Sequence, residues 1–400
     1  MNHVEYVKNK NVFLISLFFR QLAITFPHAL LTLIFLSKGL IYSQIAVIQA
    51  FFSIAVIVFE FPSGVLADKY PKKIIYIISN FALIGTYFFV LKFNSFSAMI
   101  LAWFIYGISS ALETGTIDAE IIIEIKKEGN SSKLEQFIGK AQRIGSISAI
   151  FGSIFGFVLY QFIDVNIYII MSFFLCISIL NVSLFFKSDN SIKNINTKNS
   201  LHKIVKNAFI ELKTSNNLKF CIILLCFLQI FMQIHFQLWQ AFFIDEKYNN
   251  KLLIGFYIIC QIITFFVYKT NIKNLIPKII FFIIPLIAVS SIFLYFNNNK
   301  IIIVVSYFIP VIMIQLLQFF VSFLFNKEVK ETNISSLTSL TSTIMRIFSA
   351  LTMFSSGLLL HFISVKFLYI FTSLFITTIS VIGVFFLFVK NKFLNKEEAI

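Results

Sequence analysis

Long apolar runs separated by short polar connections set the pattern of this chain. Runs of roughly 20 residues, long enough to cross a hydrocarbon core, recur about twelve times. They cover 11–37, 43–66, 74–92, 95–118, 138–161 and 165–187, then 218–243, 251–269, 276–296, 301–324, 335–361 and 364–390. These runs predict helices, because a backbone in lipid must satisfy its hydrogen bonds within its own segment. Spanning strands would show short alternating stretches, and these runs do not alternate. The expected fold class is all-α and membrane-embedded. Pro27 lies inside the first run and should kink it.

A polar stretch rich in Lys, Asn and Ser separates the sixth run from the seventh. It divides the chain into an N-terminal bundle (1–187), a linker (188–217) and a C-terminal bundle (218–400). Within the linker, apolar residues at Leu201, Ile204, Val205, Ala208, Phe209 and Leu212 follow a helical period and predict a surface helix. The halves echo each other. The fifth run carries Arg143, Ser146 and Ser153, and the eleventh carries Arg346, Ser349 and Ser356. Steps of three and ten residues return a side chain near its starting direction on a helix. The chain holds only three Arg, so finding two of them in equivalent runs points to a duplicated unit.

Composition agrees with lipid as the main solvent: 58% of residues are hydrophobic and 13% charged, with a mean hydropathy of +0.88. The 53 Phe are read as a skewed coding composition. A net charge of +15 would suggest nucleic acid in a soluble chain, but here position explains it. Lys38, Lys92, Lys247, Lys251, Lys300 and Lys366 fall on one side of the predicted membrane. The remaining Lys crowd the other side, which puts both termini in the cytoplasm and removes the case for a nucleic-acid partner. Lys8 and Lys10 precede the first run with no small-residue cleavage site after it, so that run reads as a retained helix. Cys176, Cys221, Cys226 and Cys260 lie in apolar runs without metal-ligand spacing, so no metal or cofactor is expected. No nucleotide-binding loop or catalytic constellation is present, which argues against an enzyme.

Ionisable groups inside a membrane are costly and mark candidate sites. Arg20, Glu60, Glu113 and Arg143 fall at a similar depth, and ion pairs among them are expected, with the pairing open. Arg346 has no carboxylate in the apolar runs of its own half. It must pair across the halves, bind water, or meet an anionic solute. The seventh run carries a stripe of Gln229, Gln233, Gln237 and Gln240, with Phe236 beside it. Such a row faces either a wet cavity or another helix. Gln315, Gln318 and Gln261 would extend the same wall.

Between the second and third runs the chain reads EFPSGVLADKYPKK. Gly64, Leu66, Ala67, Asp68, Lys72 and Lys73 resemble the loop between helices two and three of the major facilitator superfamily. Lys69 replaces an Arg of that pattern, and Pro71 a Gly. The preceding Glu60-Phe61-Pro62-Ser63 resembles bacterial efflux-like members. Trp103 stands where antiporters of the family carry an Arg, and the fifth run has Gly145, Gly152 and Gly156 on one face in place of a Gly-Pro pair. Those glycines suit close helix packing.

The resemblance implies two pseudo-symmetric six-helix bundles in the cytoplasmic (inner) membrane, crossing it many times and acting as a monomer. It implies a secondary transporter working by alternating access on a small amphipathic, perhaps anionic, organic solute. Export is favoured, with Gln229, Gln233, Phe236, Gln237, Gln240, Gln315 and Arg346 at the solute. Gly64, Asp68, Lys69, Lys72 and Lys73 are assigned to an inner gate, Asp68 meeting the helix N-terminus after Asn333. Protons are the candidate coupling ion, at Glu113 or Glu60. Uptake of an anionic metabolite, or a non-transporting receptor or assembly protein, are the alternatives.

Overall fold

A computed structural model of the chain describes residues 3–113, 116–127, 131–187, 212, 214–269, 276–329 and 334–380. The described residues are built on helices: α1 (His3–Thr25), α2 (Leu31–Ser37), α3 (Tyr42–Lys69), α4 (Lys72–Lys92), α5 (Phe96–Glu113), α6 (Ile117–Lys127), α7 (Ser131–Ile163) and α8 (Ile167–Phe185). Then follow α9 (Asn216–Asp245), α10 (Leu252–Lys269), α11 (Ile276–Phe296), α12 (Lys300–Glu328) and α13 (Ile334–Leu359). The last is α14 (Val365–Ser380). Each apolar run of the sequence coincides with one or more of these helices. Seven described stretches are long and apolar enough to cross a membrane by length and composition. The chain separates into two compact units, Met1–Ile195 with Asn249–Ile258, and Asn196–Tyr248 with Ile259–Ile400. The surface helix expected at 201–212 falls almost wholly outside the described residues.

In the first unit, Pro27 does more than kink the first run. It ends α1 at Thr25, and a turn at Phe26–Leu30 leads into α2. Proline has no N–H, so the carbonyl four residues earlier, on Ala23, loses its helical donor. The hydroxyl of Tyr87 on α4 donates to that carbonyl instead, at 3.1 Å. The same break is gripped by α7. Thr25 Oγ1 donates to the Ser148 carbonyl at 2.8 Å, and Ser153 Oγ donates to the Thr25 carbonyl at 3.2 Å. A Cβ on Gly152 would collide with Thr25 Oγ1, and one on Gly156 with the Phe26 carbonyl. Gly145 has open space where a Cβ would stand, so two of the three expected glycines make the seam.

The described part of α5 reaches Glu113, and α6 begins at Ile117. Ile117, Ile121 and Ile125 are buried and repeat every four residues, one face of a short amphipathic helix. That face packs with Val12, Phe13, Tyr76 and Phe186 in one apolar cluster.

In the second unit, α9 and α12 run antiparallel. Asn217 meets Glu328, Gln229 meets Gln318, His235 meets Tyr307, and Phe243 packs on Phe308. Tyr307 is wholly buried, stacks on Tyr369 at 4.4 Å between centroids, and lies 2.9 Å from His235 Nδ1. His235 is a satisfied core histidine on the far side of α9 from the glutamines.

Candidate functional site

α9 starts where Ser215 Oγ accepts the Leu218 N–H, a side-chain cap on a run of 30 residues. Steps of four, four and three place Gln229, Gln233, Gln237 and Gln240 along one stripe. Their surroundings differ. Gln229 is bound into the helix packing: its Nε2 donates to Ser349 Oγ on α13 at 3.1 Å, and its Oε1 accepts from Gln318 Nε2 on α12 at 3.2 Å. Gln240 is buried. Gln233 and Gln237 are half-buried and make no hydrogen bond to a described residue. Phe236 beside them is 53% exposed. The stripe therefore divides: Gln229 ties helices together, whereas Gln233 and Gln237 keep free amides.

Gln315, on α12, is 8% exposed. Its Nε2 donates to Thr264 Oγ1 on α10 at 3.5 Å, while its Oε1 is buried without a donor. Arg346 is half-buried on α13, three residues before the Ser349 that Gln229 binds. One serine of each Arg-Ser set lies in a helix seam, at a different place in the repeat: three residues after Arg346 and ten after Arg143. Ser349 serves α9–α13, and Ser153 serves α1–α7.

Arg20 departs from the expected ion pair. It is 2% exposed and its guanidinium reaches neutral groups: Asn80 Oδ1 at 2.7 Å, Ser79 Oγ at 3.4 Å and Ser109 Oγ at 3.4 Å. The Tyr76 ring lies 5.8 Å away. Among the described residues no carboxylate lies within ion-pair distance of Arg20, because α4 and α5 present amide, hydroxyl and ring to it. Glu113 is the last described residue of α5, one turn beyond Ser109 on the same face. Glu60 is half-buried on α3, and Arg143 is exposed on α7.

The gate motif is helical for most of its length. α3 continues through Lys69, and only Tyr70 and Pro71 separate it from α4. Pro71 N-caps α4, where a missing N–H costs nothing. The surroundings of Gly64, the side chains of Asp68 and Lys69, and Asn333 as the intended partner of Asp68, lie outside what is described. Lys72 is half-buried. Lys73 Nζ donates to the carbonyls of Ser183 and Phe186 at 2.8 and 2.9 Å, placing a cation on the C-terminus of α8. The Ser349, Thr264 and Asn80 contacts escape sequence reading, because each partner lies far away along the chain. The α6 helix had a signal, its four-residue isoleucine repeat.

A family model described as Major Facilitator Superfamily matches residues 13–327. An uncharacterized MFS-type transporter of Bacillus subtilis (strain 168), YxaM, is 37% identical over 83 residues, 21% of each chain. Among solved structures, a variant of the nucleoside transporter NupG superposes with a TM-score of 0.73 at 18% identity, covering 94% of this chain and 99% of its own. A bacterial homolog of the human lysosomal transporter Spinster, inward-facing and unoccupied, gives 0.64 at 12% identity over 96% of this chain and 94% of its own. Those identities speak for the fold alone. With an all-α fold of this kind and a family match across most of its length, the chain belongs to the Major Facilitator Superfamily, a family of multi-pass membrane transporters and not of enzymes.

Proposed function

We propose that the chain is a secondary transporter that exports a small amphipathic organic solute across the cytoplasmic (inner) membrane by alternating access. The free amides of Gln233 and Gln237 beside the exposed ring of Phe236 carry this reading. A polar group in an apolar medium without a partner costs about 1–3 kcal/mol, so these amides are built to meet water or solute. Gln240 and Gln315 extend the face. The outward direction rests on the resemblance of Glu60-Phe61-Pro62-Ser63 to efflux-like members. In this reading 1–187 and 218–400 rock about the solute, 188–217 links them, and both termini are cytoplasmic. The chain works as a monomer. The Gly64–Lys73 segment, with Asp68, Lys69, Lys72 and Lys73, closes the inner side. Protons couple through Glu113 or Glu60, with Arg20 and Arg143 as nearby fixed charges.

Thermal stability of the purified protein, measured across a panel of aromatic and amide-bearing solutes, tests this. A binding solute raises the melting temperature with the logarithm of its concentration. Phe236→Ala and Gln237→Ala should shrink that rise, and an unchanged rise in both variants would remove the site. Glu113→Gln should abolish gradient-driven transport and spare binding; normal transport over imposed pH gradients would reject Glu113 as the coupling acid. A second reading, uptake of an anionic metabolite, is favoured by one observation: Arg346 stands one turn from the Gln229–Ser349 bond.

A further inference from the structure

We infer that the second unit holds a subsite between α9, α10 and α12 that recognises an adjacent N–H and C=O on its solute, the edge of a lactam or cyclic amide. The inference rests on the reading that the α9 amide face meets solute, and it names what that face selects. The first observation is the orphaned Oε1 of Gln315, an acceptor without a donor on a residue 8% exposed. The orientation of this amide agrees with its neighbour. Thr264 Oγ1 spends its single proton on the Cys260 carbonyl at 2.9 Å, so toward Gln315 it can only accept. With Nε2 of Gln315 toward Thr264 at 3.5 Å, Oε1 is the atom left over.

The second observation is register. α9 and α12 are antiparallel and joined at Gln229–Gln318. One turn on from Gln229 along α9 is Gln233, and one turn back from Gln318 along α12 is Gln315. Because the helices run in opposite directions, both steps move the same way, by about 5 Å. Gln233, whose amide makes no hydrogen bond to a described residue, thus stands at the level of the orphaned Gln315 oxygen. One residue supplies an acceptor in need of a donor, and the other supplies a free N–H. A solute N–H to Gln315 Oε1 and its neighbouring carbonyl to Gln233 Nε2 satisfy both. Neither contact requires a charge on the solute. Discrimination comes from the acceptor, because a solute without the N–H leaves a buried oxygen unpaired.

The test uses 2-quinolone and N-methyl-2-quinolone, which differ at the N–H. Their affinities are measured by calorimetry on the purified full-length chain and on Gln315→Leu, Gln315→Glu and Gln233→Leu. The N–H compound should bind about ten-fold more tightly, the worth of one neutral hydrogen bond. Gln315→Leu should weaken the N–H compound and bring the ratio to one or below it, and the binding that the N-methyl compound retains reports that the variant is folded. Gln315→Glu keeps an acceptor and should keep the preference. Gln233→Leu should weaken both compounds alike. Equal affinities in the parent protein, no binding of either compound, or a preference that survives Gln315→Leu would each overturn the inference. Loss of both compounds in Phe236→Ala, with no effect of Gln315→Leu on the ratio, would leave the α9 site standing and remove only this subsite. Binding indifferent to Phe236, Gln237 and Gln233 would remove the site itself.

Discussion

The first and seventh apolar runs hold equivalent places in the duplicated order of the chain, yet α1 and α9 meet their neighbours by different means. α1 docks its backbone. Its broken end at Thr25 and Phe26 lies against Gly152 and Gly156 of α7, close enough that a Cβ there would collide. Its carbonyls are taken up by the Ser153 and Tyr87 hydroxyls. α9 docks by side chains, the Gln229 amide bridging Ser349 and Gln318. A seam made by backbone against glycine leaves no room for a solute and favours rigidity. A seam made by long amides holds one turn fixed and leaves Gln233 and Gln237 free. The polar interiors differ too: the first unit buries a cation, Arg20, among neutral groups, whereas the α9 stripe carries only uncharged amides.

The sharpest way to break this contrast is to add atoms to the first seam. Gly156→Leu should fail to yield folded protein, and Gly156→Ala should lose about 1–3 kcal/mol in thermal unfolding, the usual cost of overpacking. Gly145→Ala, with open space at its Cβ, should be neutral or slightly stabilising. Removal of the Tyr87 hydroxyl comes next. Tyr87→Phe leaves the Ala23 carbonyl buried without a donor and should cost about 1–3 kcal/mol. In a Pro27→Ala background, where the helix can supply its own N–H, the same change should cost much less. Equal costs in both backgrounds would show that the proline and the tyrosine are not linked. In the second seam, Gln229→Leu should cost about 1 kcal/mol, in the range of interhelical hydrogen bonds in membranes. The smallest loss is expected from Ser153→Ala, about 0.5 kcal/mol for one hydroxyl bond to a carbonyl.

Much of the architecture was legible in the sequence, since lipid makes each apolar run declare itself as a helix. The described helices begin and end within a few residues of most runs. The exceptions have local causes. Pro27 strips a donor from the first run and splits it. Ile117, Ile121 and Ile125 form a helix too short and too charged to resemble a membrane span. The site was legible as residue types but not as partners. A buried Arg20 invites a carboxylate, yet the groups that meet it come from Asn80, Ser79 and Ser109, distant in sequence and chemically unremarked. The glutamine stripe was visible at once. Which of its members would bind helices and which would stay free depends on Ser349 and Gln318, set by packing and not by periodicity.

The central claim is that the free part of the α9 stripe meets water and solute while its lower end is locked into the bundle. It is tested most directly by placing single cysteines at Gln233, Gln237 and Leu228 in a chain stripped of its native thiols, and labelling membranes with a water-soluble maleimide. The account predicts labelling at 233 and 237, slowed by a bound solute, and none at Leu228, which is fully buried. A chain in which 233 and 237 stay as unreactive as 228, with and without solutes and imposed gradients, would contradict it.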